Sequence, residues 1–137
     1  MATAPASSDV VVDSSVLVAI LLRERGWQVW ESKLLSLPET VVGAPNLIEV
    51  YIVTLHRSGK DQREAIKRCL AATQTRVAPF DESLFEFAAD AYLSFGKGRH
   101  PAALNFGDCM AYALARRLDA PLLYSGDDFA KTDVRPA

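Results

Sequence analysis

The chain has 137 residues, half of them hydrophobic and 23% charged, which suits one globular domain with a real core and leaves no room for two. Its formal net charge of −2 argues against a protein that grips nucleic acid through a broad basic surface, but not against a nuclease whose bound cation supplies positive charge. Cys69 and Cys109, the only cysteines, fit neither a disulfide framework nor a redox or zinc spacing.

Residues 1–8 are small and polar, without the basic and apolar regions of a signal peptide, and read as a flexible tail ahead of a domain over 9–137. No apolar run approaches the ~20 residues of a membrane-spanning helix, so a soluble, cytoplasmic protein is expected. Val10-Val11-Val12 is a β-branched run that reads as a buried strand ending at Asp13. Ser14 and Ser15 offer capping oxygens before the hydrophobic helix Val16 to Leu22. Gly26 breaks it, a second helical pattern runs from Trp27 to Leu37, and Val41 to Ala44 is a short strand. Trp27 and Trp30 share a face and read as core or subunit interface.

Pro45 is placed to open the next helix, Asn46 to Arg57, which closes at Ser58-Gly59. Asp61 to Thr73 is amphipathic, Arg76 to Phe80 has strand character, and Asp81 caps a helix from Glu82 to about Phe95. A loop containing Lys97, Arg99 and His100 leads to an alanine-rich helix, Phe106 to Leu118. Leu122 to Tyr124 is a last buried strand. Short strands alternating with helices imply a parallel sheet covered on both faces, with ligands bound outside the carboxyl ends of the strands.

The position of the acids is the informative feature. Asp13 ends the first strand, and Glu49 interrupts the apolar stretch Leu47 to Val53, sharing a helical side with Ile52, Val53 and His56. Asp108 lies in the first turn of its helix, and Asp127 and Asp128 follow the last strand. Carboxylates are rarely buried without a partner, and a cluster of them raises each member's pKa. A hard divalent cation, Mg²⁺ or Mn²⁺, removes that conflict with oxygen ligands alone. Such a centre, with one cation or two, can activate water against a phosphodiester. Ser15, Asn105 and Thr132 are supporting candidates, Ser15 beside Asp13, Asn105 at the start of Asp108's helix and Thr132 in the acidic loop. The basic loop reads as solvated rather than as a phosphate contact.

The segments Val10 to Ser15, Pro45 to Val50, Leu104 to Ala113 and Leu122 to Asp133, in this order and spacing, resemble the PIN-domain ribonucleases, and within them the VapC-type toxins. The resemblance covers about Val10 to Val134. It implies a PIN-like (Rossmann-like) α/β/α sandwich with a five-stranded, mostly parallel sheet. It also implies Mg²⁺- or Mn²⁺-dependent cleavage of RNA that inhibits translation, with a structured RNA such as tRNA or rRNA as substrate. A homodimer held in check by a cognate antitoxin, whose tail covers the acidic pocket, is implied as well. Asp13, Glu49 and Asp108 match the family's acids; the fourth is Asp128, the acid just before Phe129, or Asp127.

Two other readings are compatible with the same acids. One is a Mg²⁺-dependent phosphohydrolase of small phosphate esters, although Ser15 stands where aspartyl-nucleophile enzymes carry a second Asp. The other is a non-catalytic domain that only binds a partner.

Overall fold

The structure, a computed structural model, describes residues 8–137, so the tail expected over 1–8 lies outside the described residues but for Ser8. Strands β1 (Asp9–Val12), β2 (Glu39–Gly43), β3 (Thr75–Ala78) and β4 (Leu122–Leu123) form one sheet in the order β3-β2-β1-β4, and every pairing is parallel. The all-parallel pairing sends every strand's carboxyl end to one edge.

Among the described residues the sheet has four strands, which corrects the expectation of five. Beyond β4 the chain adds only a single parallel bridge, Leu122 with Pro136. Leu122 N–H donates to Arg135 O at 2.8 Å and Ala137 N–H donates to Leu122 O at 3.0 Å. Pro136 has no N–H to extend the ladder.

Strand side chains alternate between two cores. Val11, Val41 and Leu122 pack on one face under α5 (Glu82–Phe95) and α6 (Phe106–Leu118). Val10, Val12, Val42 and Leu123 pack on the other under α1 (Ser14–Leu21), α2 (Trp27–Ser36), α3 (Ala44–Ser58) and α4 (Arg63–Thr73). The result is the expected α/β/α sandwich. Trp27 and Trp30 are half-buried against the second core, and Arg23 stacks over Trp27 at 5.3 Å, in keeping with the core reading.

Most boundaries fall close to where the sequence puts them: α1 opens at Ser14 with Asp13 rather than Ser14 or Ser15 as its cap, β2 starts at Glu39 and β4 stops at Leu123, and two further differences have local reasons. Ala44 opens α3 instead of ending β2, with Pro45 in the first helical turn, where its missing N–H costs nothing. The strand expected at Arg76–Phe80 begins at Thr75 and ends at Ala78. Thr75 pairs with Thr40 in the ladder, their buried hydroxyls 2.8 Å apart, and Pro79 follows. Among the described residues, no helix is long and apolar enough to cross a membrane.

Candidate active site

Asp13 is the first residue past β1, and only 4% of it is exposed. Its N–H donates to Leu123 O at 2.9 Å, which pins it between β1 and β4. Oδ2 caps α1 by accepting the Ser15 N–H at 3.0 Å, while Oδ1 is buried with no hydrogen-bond partner among the described residues. Burial pushes the carboxyl above the usual carboxylate range, opposed by the hydrogen bonds from Ser15 and reinforced by the charge of Glu49.

Glu49 reaches the same place from α3. Its Oε1 accepts a short hydrogen bond from the Ser14 hydroxyl and a longer one, 3.4 Å, from Asn46 Nδ2. Asn46, 1% exposed, also donates to Gly107 O at 3.0 Å and so joins the first turns of α3 and α6. Gly107 is where the carboxylate comes to rest: a Cβ built there would overlap it.

Asp108 stands in the first turn of α6 in a reciprocal capping box with Asn105. Asp108 N–H donates to Asn105 Oδ1 at 2.9 Å, and Asn105 N–H donates to Asp108 Oδ2 at 3.1 Å. Burial pushes the Asp108 carboxyl up to about 6, against the Asn105 hydrogen bond and with help from the charges of Asp13, Asp128 and Glu49. The adjoining Cys109 thiol is raised to about 11 by burial, which makes it a poor nucleophile at neutral pH.

These acids line one cavity of about 260 Å³ at the carboxyl edge of the sheet. Asp13, Glu24, Glu49, Asp108 and Asp128 contribute carboxylates, Ser14, Ser15 and Ser125 contribute hydroxyls, and Arg57 contributes the one basic side chain among the described residues. Like charges this close need a counter-charge, and the oxygen-only donors with the orphaned Asp13 Oδ1 have the chemistry of a hard-cation site. Among the described residues, no three His, Cys, Asp or Glu side chains are drawn together tightly enough to hold a cation as they stand. Glu49 is instead turned toward Ser14 and Asn46, so it would have to swing from them to act as a ligand. A larger groove of about 440 Å³ lies between α5 and the start of α6, but its lining carries no acid.

A sequence profile of the PIN domain matches residues 10–135, nearly the whole chain. The chain belongs to the PIN-domain family. This PIN domain is 39% identical over 129 residues to "Ribonuclease VapC42" of Mycobacterium tuberculosis, covering 93% of the chain and 98% of the relative. It is 35% identical over 125 residues to "Ribonuclease VapC" of Mycolicibacterium smegmatis, covering 91% and 97%. These relatives place it among the VapC ribonucleases. In fold it is similar to a crystal structure of M. tuberculosis VapC20, described as a sarcin-ricin loop cleaving toxin, with a TM-score of 0.71 at 20% identity. That match covers 93% of this chain and 99% of the other. It also matches a chain of a toxin-antitoxin complex from Klebsiella pneumoniae, with a TM-score of 0.66 at 16% identity, covering 90% and 92%.

Within this PIN domain the structure brings Asp13, Glu49, Asp108 and Asp128 to one cavity and leaves Asp127 out of its lining. The Asp127 carbonyl instead accepts the Ala130 N–H at 3.2 Å in the turn before the single 3-10 turn Phe129–Lys131. Ser15 lines the cavity, and its hydroxyl accepts the Ser125 N–H at 3.0 Å, tying the acidic loop to α1. Asn105 acts through the capping box. Thr132 closes the 3-10 turn by donating to Phe129 O at 2.7 Å. On α3 the side shared with Glu49 carries Val53 and Arg57, whereas Ile52 is 58% exposed. The sequence reading missed Ser14, Asn46, Gly107, Glu24 and Arg57. Helical spacing could have found two of them, since Asn46 lies one turn before Glu49 and Arg57 two turns after it.

Proposed function

We propose that this VapC-type PIN domain is a Mg²⁺- or Mn²⁺-dependent endoribonuclease, the toxin of a toxin–antitoxin pair, that stops translation by hydrolysing RNA phosphodiesters. One observation carries the reading: carboxylates from four separate segments, Asp13, Glu49, Asp108 and Asp128, line a single cavity at the strand ends. Relatives that match almost end to end bear the name ribonuclease.

Asp13, Asp108 and Asp128 would hold the cation, and Glu49 would either join them by leaving Ser14 and Asn46 or stay in that seat as a base. A divalent ion bound there supplies Lewis acidity, easing deprotonation of water and offsetting charge on a phosphoryl oxygen. The protein's own part is positional. The Ser15 N–H holds Asp13 Oδ2, while Oδ1, buried and without a hydrogen-bond partner among the described residues, would be the oxygen offered to the cation. Asn105 fixes Asp108 through one oxygen, and the other would be the one to meet the cation. In that seat, hydrogen-bonded to Ser14, Glu49 would take a proton from the attacking water.

The partners fit the same picture. An acidic cavity favours an antitoxin segment bearing a cation. The apolar groove between α5 and α6, with Phe85 59% exposed and Phe106 76% exposed, is a surface suited to a homodimer. A structured RNA such as tRNA or rRNA is the substrate this reading favours.

The experiment is induction of the protein in bacterial cells, mapping of new RNA 5′ ends, and comparison with Asp13→Asn. Discrete new ends that vanish in the variant support the reading. Intact RNA, with inorganic phosphate released from small esters by the purified protein, would replace it with the phosphohydrolase reading.

A further inference from the structure

Among the described residues, Arg57 is the single cation in a cavity lined by five carboxylates. It sits in the last turn of α3 on the side that carries Glu49 and Val53. Its Nη1 donates to Glu24 Oε1 at 2.8 Å, and Glu24 belongs to the turn between α1 and α2. The pair is open to solvent, with the Arg57 side chain 56% exposed and that of Glu24 44% exposed. An exposed pair of this kind adds little to stability. Its geometry does something else. Glu24, which lines the same cavity, engages one guanidinium nitrogen and leaves the fork's remaining donors for a planar or tetrahedral anion.

The substrate brings such an anion. RNA passing this site carries one phosphate per nucleotide, and the cavity's carboxylates repel each of them. The basic loop cannot relieve that repulsion, because Lys97, Arg99 and His100 do not line the cavity and the Arg99 side chain donates to Leu93 O at 3.2 Å. We infer that Arg57 is a substrate-binding residue of the ribonuclease, taking a phosphate next to the scissile one, with Glu24 as its positioning partner and electrostatic brake. The inference rests on the ribonuclease reading above. It assigns the site a fixed positive contact that is independent of the cation.

The test uses the full-length protein and a fluorescein-labelled, single-stranded RNA of mixed sequence. Binding is followed by anisotropy in EDTA between about 50 and 200 mM salt, and cleavage of the same RNA is measured in Mn²⁺. Arg57→Ala is expected to raise Kd and KM by about five- to twentyfold with kcat nearly unchanged. It should also flatten the slope of log Kd against log salt by about 0.7, the value of one phosphate on a single strand. Arg57→Lys should recover most of the affinity. Glu24→Gln should tighten binding, whereas a merely structural ion pair would make Glu24→Gln and Arg57→Ala err in the same direction. Arg63→Ala, which removes the same charge from a side chain outside the cavity and paired with Asp61, should behave like the parent.

Parental Kd, KM and salt slope in Arg57→Ala would overturn the assignment while leaving the nuclease intact. So would equal losses in Arg57→Ala and Arg63→Ala. A parent that leaves RNA uncut in Mn²⁺ would overturn the ribonuclease reading itself, and the role of Arg57 with it.

Discussion

The carboxylate of Glu49 lies against the bare Cα of Gly107, in space that any other residue would fill with its own Cβ. The contact joins α3 to α6 across 58 positions of sequence, and the Asn46 side chain bridges the same two helices by donating to Gly107 O. An acid on one helix is thus seated by the absence of a side chain on another.

Gly107→Ala separates seating from folding. The added methyl must displace Glu49, an overpacking cost of about 1–3 kcal/mol, while replacing glycine inside a helix returns about 1 kcal/mol. Cleavage is expected to fall at least about tenfold with the melting temperature within a few degrees of the parent's. Fluorogenic RNA cleavage and a thermal melt check both; an active Gly107→Ala would mean that Glu49 is not needed where it stands.

The cluster acids can be neutralised without changing their shape. Asp13→Asn, Glu49→Gln and Asp108→Asn are each expected to cut RNA cleavage by at least about a hundredfold while circular dichroism stays that of the parent. In EDTA, Asp13→Asn and Asp108→Asn should melt higher than the parent, because each removes a charge that burial disfavours.

The same burial sets a pH dependence of stability. Asp108 is raised from the ordinary value near 3.8 to about 6, and Asp13 is raised too, so the folded protein binds these protons more tightly than the unfolded chain. Their stabilising effect is full below about pH 4 and is lost as pH rises through about 6. Asp61 and Asp81 are shifted downward, chiefly by hydrogen bonds from Arg63 and Ser83 respectively, and act only at lower pH. Urea midpoints in EDTA should therefore be higher at pH 5 than at pH 7. Asp108→Asn should shrink the difference; an unchanged difference would remove Asp108 as its source.

A divalent cation should reverse that preference. Mn²⁺ bound only by the native state raises stability by about 2.7 kcal/mol at a hundred times its Kd, and more at higher pH, where the acids are ionised. Calorimetric melting with and without millimolar Mn²⁺ reads the effect, which should disappear in Asp13→Asn. A parent whose melting temperature ignores Mn²⁺ would exclude a metal pocket at these acids.

The groove beside α5 makes a prediction about assembly. Phe85 is 59% exposed on its rim, and Phe85→Asp should turn a dimer into a monomer in sedimentation velocity, since a buried unpaired carboxylate is costly. Sedimentation of the parent as a monomer at high concentration would remove the groove's proposed role.

Much of this was legible before the structure. The three valines before Asp13, the cap at Asp81 and the alanine-rich helix after Asn105 are local signals, and local signals place elements well. Where tertiary contacts decide, spacing alone failed. The fifth strand that the resemblance implied is absent among the described residues, where only one bridge at Pro136 lies beyond β4, and β3 begins at Thr75, whose hydroxyl meets that of Thr40. The choice between Asp127 and Asp128 depends on how the loop after β4 turns, and only Asp128 faces the cavity. Glu24 and Arg57 lie 33 residues apart, so nothing short of the fold could pair them.

The capping box at Asp108 binds reactivity to architecture. One oxygen of the acid holds the first turn of its own helix, and that turn presents both the glycine beneath Glu49 and the carbonyl gripped by Asn46. Truncating Asp108 to alanine would therefore fray the seat of a second acid as well as delete the first. The carboxylates form one mutational unit: damage at either propagates to the other, and a double-mutant cycle between Asp108 and Glu49 will read well short of additive.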